Sequence, residues 1–197
     1  MKLKKKKLFK ILLTISVACL IMLAYYLFLS PRGVTVMRGL CNRNELESIV
    51  SYFSDIQSDM IDSSQISYAK VILGDSQLYK SVYVNHEKQW KDEDISGSEV
   101  INTLSALNEK YGGDYFFSIA VCDYFSDGSM LIIIPANKRL IDSKTQTRII
   151  YNLVYYNGDK IYTDSAEKDY NLYTEVIENG THIFGDWYVF SEKDSMW

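Results

Sequence analysis

The sequence predicts an α+β fold: an N-terminal transmembrane helix, then a small domain of about two helices packed on a mainly antiparallel sheet. Three observations carry this reading. Ile11 to Leu29 is an unbroken apolar run without charge, Pro or Gly. Two later stretches, from Asn44 and from Ser96, place apolar residues at helical spacing behind capping residues. Beyond residue 113 the chain alternates strand-favouring runs with turn signals. Helices and strands that cluster rather than alternate are the pattern of an α+β domain.

The apolar run contains 19 residues. As a helix rising ~1.5 Å per residue it is about 28 Å long, close to the roughly 30 Å hydrocarbon core of a bilayer. A helix apolar on every face suits lipid better than the surface of a globular domain. The lipid bilayer is therefore the expected partner of Ile11 to Leu29. The residues before it carry Lys2, Lys4, Lys5, Lys6, Lys7 and Lys10 and no acid. Positive flanks stay on the cytoplasmic side, so the N-terminus is expected inside and the C-terminus outside. Tyr25 and Tyr26 fall where amphipathic rings favour the outer interface.

Two rivals fit this segment less well. Cleavage as a signal peptide after Ala18 would leave Leu20 to Leu29 as a greasy new terminus, and Pro31 opposes a later cut. A lipoprotein signal ending at Cys19 would have Ser16 at the position usually held by Leu, with bulky Leu20 to Leu23 behind it. An uncleaved signal-anchor is preferred. The chain then divides into a cytoplasmic lysine-rich tail (1–10), a transmembrane helix (11–29), a juxtamembrane linker (30–43) and an extracytoplasmic domain (44–197).

The linker is expected to be irregular, with Pro31, Gly33 and Gly39 as breakers and a short extended piece at Val34-Thr35-Val36. The first domain helix is expected from Asn44 to about Met60, capped by Asn44 and Glu47. It buries Leu46, Ile49, Val50, Phe53 and Ile56. Strands at Ile66–Leu73 and Leu78–Val84 follow, and His86–Asp94 is expected as a polar loop. Ser96 and Glu99 form a second capping box, and Val100, Ile101, Leu104, Leu107 and Tyr111 make the buried stripe of a helix stopped by Gly112-Gly113.

Tyr115–Tyr124 reads as a strand, with Phe117, Ile119 and Val121 on one face and Phe116, Ser118, Ala120 and Cys122 on the other. Asp127-Gly128 turns into Met130–Ile134, which is apolar enough for a central strand, and Pro135–Thr145 reads as a loop. Arg148–Tyr156 is the next strand. Asn157-Gly158 signals a hairpin returning through Lys160–Thr163. Tyr173–Ile177 reads as a strand or helical turn, and after Asn179-Gly180 a last strand runs from His182 to Phe190.

Charge excludes one function class. The whole chain carries a formal charge of −4, and six of its 21 Lys and Arg precede the apolar run. The remainder is more acidic still, which argues against nucleic acid, whose phosphates need Lys and Arg. Cysteines are few: Cys19 in the span, Cys41 near the membrane and Cys122 in a strand, where a buried free thiol is preferred to a bridge with Cys41. His86 and His182 lie in no catalytic motif, although Cys122 with His182 is an arithmetically available pair. Asp92-Glu93-Asp94-Ile95-Ser96-Gly97 resembles the start of a calcium loop, but Thr103 stands where its bidentate glutamate belongs. A solvated acidic loop explains the same residues. Carboxylate pairs such as Asp123 with Asp127, or Glu175 with Glu178, carry no information without a separation. No metal or cofactor is implied. Asn179-Gly180-Thr181 is a glycosylation sequon, discounted because the lysine tail and lean loops suggest a bacterial chain.

Tyrosine is the remaining signal. There are 16, and only Tyr25 and Tyr26 fall in the apolar run. Tyrosine offers wide contact area with a polar tip. Tyr151, Tyr155, Tyr156 and Tyr162 around the Asn157 hairpin form the candidate interaction surface. The expectation is a single-pass membrane protein with an extracytoplasmic binding domain and a protein partner in the membrane or envelope. The alternative is a membrane-anchored envelope hydrolase.

Overall fold

The computed structural model describes residues 2–58, 66–84, 87–111, 117–125, 128–142, 147–158 and 179–195. An N-terminal apolar helix leads into an α+β arrangement with an eight-stranded antiparallel sheet. The described elements are α1 (Lys2–Leu29), α2 (Pro31–Cys41), α3 (Arg43–Ser58), β1 (Ile66–Ile72), β2 (Gln77–Val84), β3 (Glu87–Asp94), α4 (Glu99–Tyr111), β4 (Ile119–Tyr124), β5 (Met130–Asp142), β6 (Thr147–Tyr156), β7 (Thr181–Phe184) and β8 (Trp187–Ser195). The strands lie in the order β3-β2-β1-β4-β5-β6-β8-β7. Every pairing is antiparallel.

Within α1, Phe9–Leu29 is long and apolar enough to cross a membrane, and no other described helix is. None of it is buried inside the protein. Its apolar side chains therefore have no core of their own to enter.

The stretch expected as an irregular linker is instead helix α2. Pro31 takes the first helical position, where its missing N–H costs nothing. Ser30 caps the helix, its Oγ accepting from Gly33 N at 3.0 Å while donating to Tyr26 O at 2.5 Å. The expected extended piece, Val34-Thr35-Val36, is helical. Gly33 and Gly39 are points of close packing and not breaks. A Cβ on Gly33 would run into the Tyr26 carbonyl, and one on Gly39 would lie 2.9 Å from Ile183 Cδ1 and 3.0 Å from Leu153 Cδ2. Thus α2 lies against the end of α1 on one side and against the sheet on the other.

Asn42 joins α2 to α3. Its N–H reaches Gly39 O at 3.3 Å and its carbonyl accepts from Leu46 N at 3.0 Å. The helix starts at Arg43, so Asn44 lies inside the first turn and Glu47 is exposed. The position before the helix is thus Asn42 and not Asn44 as expected, and the Asn42 side chain is engaged elsewhere. A similar shift occurs before α4: Ser98, not Ser96, accepts from Ile101 N through its Oγ.

One face of the sheet carries α2, α3 and α4, and the main core lies between. Leu46, Ile49, Phe53, Leu104 and Leu107 are buried there, as their helical spacing predicts. They meet Ala69, Val71, Leu78, Ala120, Cys122, Ile132, Ile134, Leu153 and Trp187 from the strands. Phe117 departs from the expected alternation. Its φ is +55°, its N–H donates to Pro135 O at 2.9 Å, and its ring joins the same core as Cys122. Left-handed backbone just ahead of β4 turns the side chain to the face that alternation denies it.

Strand β5 runs through Pro135, where a loop was expected. The register shifts between Pro135 and Asn137, a bulge that accommodates the proline. The last expected strand is in fact two, β7 and β8, reversed at Gly185 with φ +49°. Strand β6 pairs with β8, and Asn157 Oδ1 accepts from Met130 N at 2.8 Å. The expected return strand Lys160–Thr163, the segment Tyr173–Ile177 and Gly112-Gly113 lie outside the described residues. A smaller apolar layer, Leu131, Val154, Tyr156 and Phe190, is buried on the opposite face near β5, β6 and β8.

Candidate functional site

The four tyrosines singled out from the sequence do not share one surface. Period-two alternation places Tyr151 and Tyr155 on the helix-covered side of β6 and Tyr156 on the reverse. Tyr155 packs on the main core, its ring 5.5 Å from Trp187, while Tyr156 belongs to the smaller layer and meets Phe125 at 6.2 Å. Tyr151 and Tyr156 are buried and Tyr155 is half-buried. Burial first, then the Asp186 and Glu47 carboxylates, push the Tyr155 phenol up. Tyr162 lies outside the described residues.

The groups considered for catalysis are dispersed. Cys122 faces the core from β4, and its thiol is pushed up chiefly by burial, which opposes thiolate formation. His182 is on β7, with three strands between it and β4. Four strand spacings amount to about 19 Å, too far for a hydrogen-bonded pair. His182 Nε2–H donates to Gly185 O at 2.7 Å, and the ring rests edge-on against Tyr188 at 5.3 Å. Cys19, Cys41 and Cys122 are all free thiols. His86, Asp127, Glu175 and Glu178 lie outside the described residues.

The calcium-like stretch is the end of β3 and a tight turn. Asp94 Oδ1 accepts from Ser96 N at 2.9 Å and from Ser96 Oγ at 2.5 Å, and those bonds hold its carboxyl below the usual range. Gly97 supplies the positive φ, +79°, that closes the turn. Among the described residues no group of three His, Cys, Asp or Glu is placed to hold a metal ion.

A cationic knot joins α2, α3 and α4. Buried Asn42 donates through Nδ2 to Arg38 O and to Tyr111 Oη, both at 2.5 Å, and accepts from Lys110 Nζ at 2.7 Å. Arg38 lies over the Tyr111 ring at 4.8 Å and donates to Ala136 O. Burial pulls its guanidinium below the ordinary value. These partners satisfy buried polar atoms at a helix junction, so the knot reads as structural.

The exposed chemistry lies on the face that carries no helix, toward β3. Trp90 is 61% exposed, and outside α1 only Leu40, at 45%, is also a large exposed hydrophobic among the described residues. Its position follows from register. Trp90 pairs with Ser81, and Ser81 pairs with Tyr68. Small Ser81 lets the two rings meet above it, 5.7 Å apart and inclined at 79°. Tyr68 in turn pairs with Asp123, and burial, then that carboxylate, push its phenol up.

Asp92 and Asp94 follow Trp90 on the same face at two-residue steps. On the helix side of β3, Glu93 is paired with Lys80 at 2.7 Å. Asp92 has no ion-pair partner among the described residues. Lys70 on this face stands two strands inward, about 10 Å from Asp92 by strand spacing. The segment expected as a polar loop is thus an edge strand with an exposed aromatic at its middle. The signal available in the sequence was a lone Trp inside Glu87–Asp94, a run otherwise of charged and amide residues. No family model, no curated protein and no solved structure matches this chain.

Proposed function

We propose that the chain is a single-pass membrane protein whose α+β domain lies outside the cytoplasm and works by binding, not by catalysis. The observation that supports this most is the contrast across Ser30. Before it, Phe9–Leu29 is apolar and wholly unburied. After it, α2 packs directly on the sheet, with Val36 in the core and Asn137 Nδ2 donating to Pro31 O at 3.1 Å. An apolar helix of this length needs lipid, and a helix seated on the sheet one residue later holds the domain at the bilayer surface. The lysine-rich flank orients the span with its N-terminus inside.

The binding half of the proposal rests on what the surface offers. Its exposed aromatic sits beside carboxylates, while Cys122 is buried and remote from His182. The partner is a protein of the membrane or its surroundings, and the span itself is held by lipid. The test is biochemical. Full-length protein is expected to remain in membranes after carbonate and high-salt washes, and a C-terminal reporter active only outside the cytoplasm is expected to work. A soluble product beginning near Cys19 or Pro31 would overturn the anchor, and an inactive reporter would overturn the orientation.

A further inference from the structure

We propose that β3 is a docking edge that accepts a strand from a basic polypeptide, with Trp90 as its anchor and Asp92 and Asp94 as its charge readers. The inference rests on the binding role proposed above and names the surface and the chemistry of the partner.

Three observations converge on this edge. First, β3 is terminal in the sheet, so every second residue directs an N–H and a C=O away from β2. An extended peptide can pair with such a row and gain main-chain hydrogen bonds. Second, Trp90 lies in the middle of that strand and is 61% exposed. Charged residues like those flanking it ordinarily blunt an edge strand, and a large exposed ring among them does the opposite. Its inner side is braced against Tyr68 at 5.7 Å, so it is held in place rather than loose. Third, from Trp90 to the end of the strand the charge on its face has one sign, although Lys88 precedes Trp90 at the same alternate step. Trp90, Asp92 and Asp94 occupy alternate positions, spaced about 7 Å apart by strand geometry.

An added strand has the same repeat. A peptide with Lys or Arg at alternate positions would place one cation over or beside the Trp90 ring and the next two at the carboxylates. Cation–π attraction and charge pairing would then act in one register. The other face of β3 adds no attraction for a cation, because Glu93 is already paired with Lys80 and Lys91 beside it is exposed. Asp94 keeps its negative charge to low pH because Ser96 holds it through two hydrogen bonds.

The test uses the full-length chain in lipid nanodiscs and a labelled nine-residue peptide alternating lysine and valine, read by fluorescence anisotropy. Binding is expected to this peptide, and at least ~10-fold weaker binding to three comparison peptides, a loss of ~1.4 kcal/mol or more. These are a glutamate–valine analogue, a peptide of the same composition with its lysines in one block, and an analogue N-methylated at alternate residues. Trp90→Ala is expected to weaken binding at least ~10-fold, as removal of an aromatic anchor does, and Asp92→Lys to do the same. Both positions are exposed, so thermal unfolding should stay at the wild-type temperature. Equal binding of the blocked-lysine peptide would mean non-specific attraction and overturn the proposal. Equal binding of the N-methylated peptide would overturn strand addition. Trp90-dependent binding of a neutral oligosaccharide with no binding of the peptide would overturn it in favour of a glycan platform. Any of these results with a carbonate-resistant chain retires the edge and leaves the anchor standing, whereas a soluble chain strikes the anchor itself.

Discussion

Phe53→Ala is expected to destabilise the domain by ~3–5 kcal/mol, from lost transfer energy plus the cavity left behind. Phe53 is fully buried at the centre of α3 and lies in the core that joins α3 and α4 to the sheet. Its ring touches Tyr52 edge-on at 5.7 Å. Its carbonyl accepts the Tyr124 hydroxyl at 3.0 Å, so the backbone around it is pinned and cannot collapse freely into the void. Tyr124, itself buried, has its phenol pushed up by burial and relies on that bond. Against a total stability of roughly 5–15 kcal/mol, such a loss brings the domain near its threshold. Chemical unfolding of the full-length chain measures it, with exposed Glu109→Ala as a control expected within ~0.5 kcal/mol. A Phe53→Ala loss no larger than the control's would mean that α3 does not cover the sheet.

Gly33→Ala is expected to force apart the junction of α1 and α2. The added methyl would drive into the carbonyl of Tyr26 and lie 2.8 Å from Leu27 Cα. Both obstacles are backbone, which cannot rotate away as a side-chain tip can. The overlap must be relieved by moving one helix, and overpacking of this kind typically costs ~1–3 kcal/mol. The expected result is a lower unfolding temperature of the reconstituted chain, together with a changed distance between spin labels on α1 and on the sheet. Gly74→Ala provides the contrast, because a Cβ there meets nothing within 4 Å. If Gly33→Ala unfolds at the wild-type temperature with unchanged label distances, α2 is not seated against α1 and the domain is not held rigidly.

Much of the architecture could be read from the chain because its helices bury one stripe. Leu46, Ile49 and Phe53, and Leu104 and Leu107, announce their faces by spacing alone, and all five are buried. Most strand cores were equally plain at Ile66–Ile72, Gln77–Val84 and Thr147–Tyr156. What misled were residues whose local meaning depends on context. Pro31 breaks a helix in its interior but opens one at its first position, and glycine serves close packing as readily as a turn. Pro135 marked a loop locally, yet a bulge carries it within β5.

The candidate site was less legible for a related reason. Alternation tells which residues share a face, but it does not tell which face the helices will cover. Tyr155 and Tyr156 are adjacent in sequence and belong to opposite layers. Trp90 sits in a run polar enough to pass for a loop, and only its pairing with Ser81, which pairs in turn with Tyr68, makes it part of an edge strand. Long-range pairing of that kind has no local signature in a single sequence.

The central claim is a span ending at Leu29 with the domain on its outer side, and the native cysteines test it directly. Cys19 lies in the apolar helix, Cys41 is exposed at the end of α2, and Cys122 is buried in the core. In intact cells, a membrane-impermeant maleimide is expected to label the full-length protein once, at Cys41. Cys19 should react only after detergent, and Cys122 only after unfolding. Labelling of Cys19 in intact cells, or labelling of Cys41 only after the membrane is broken, would contradict the account.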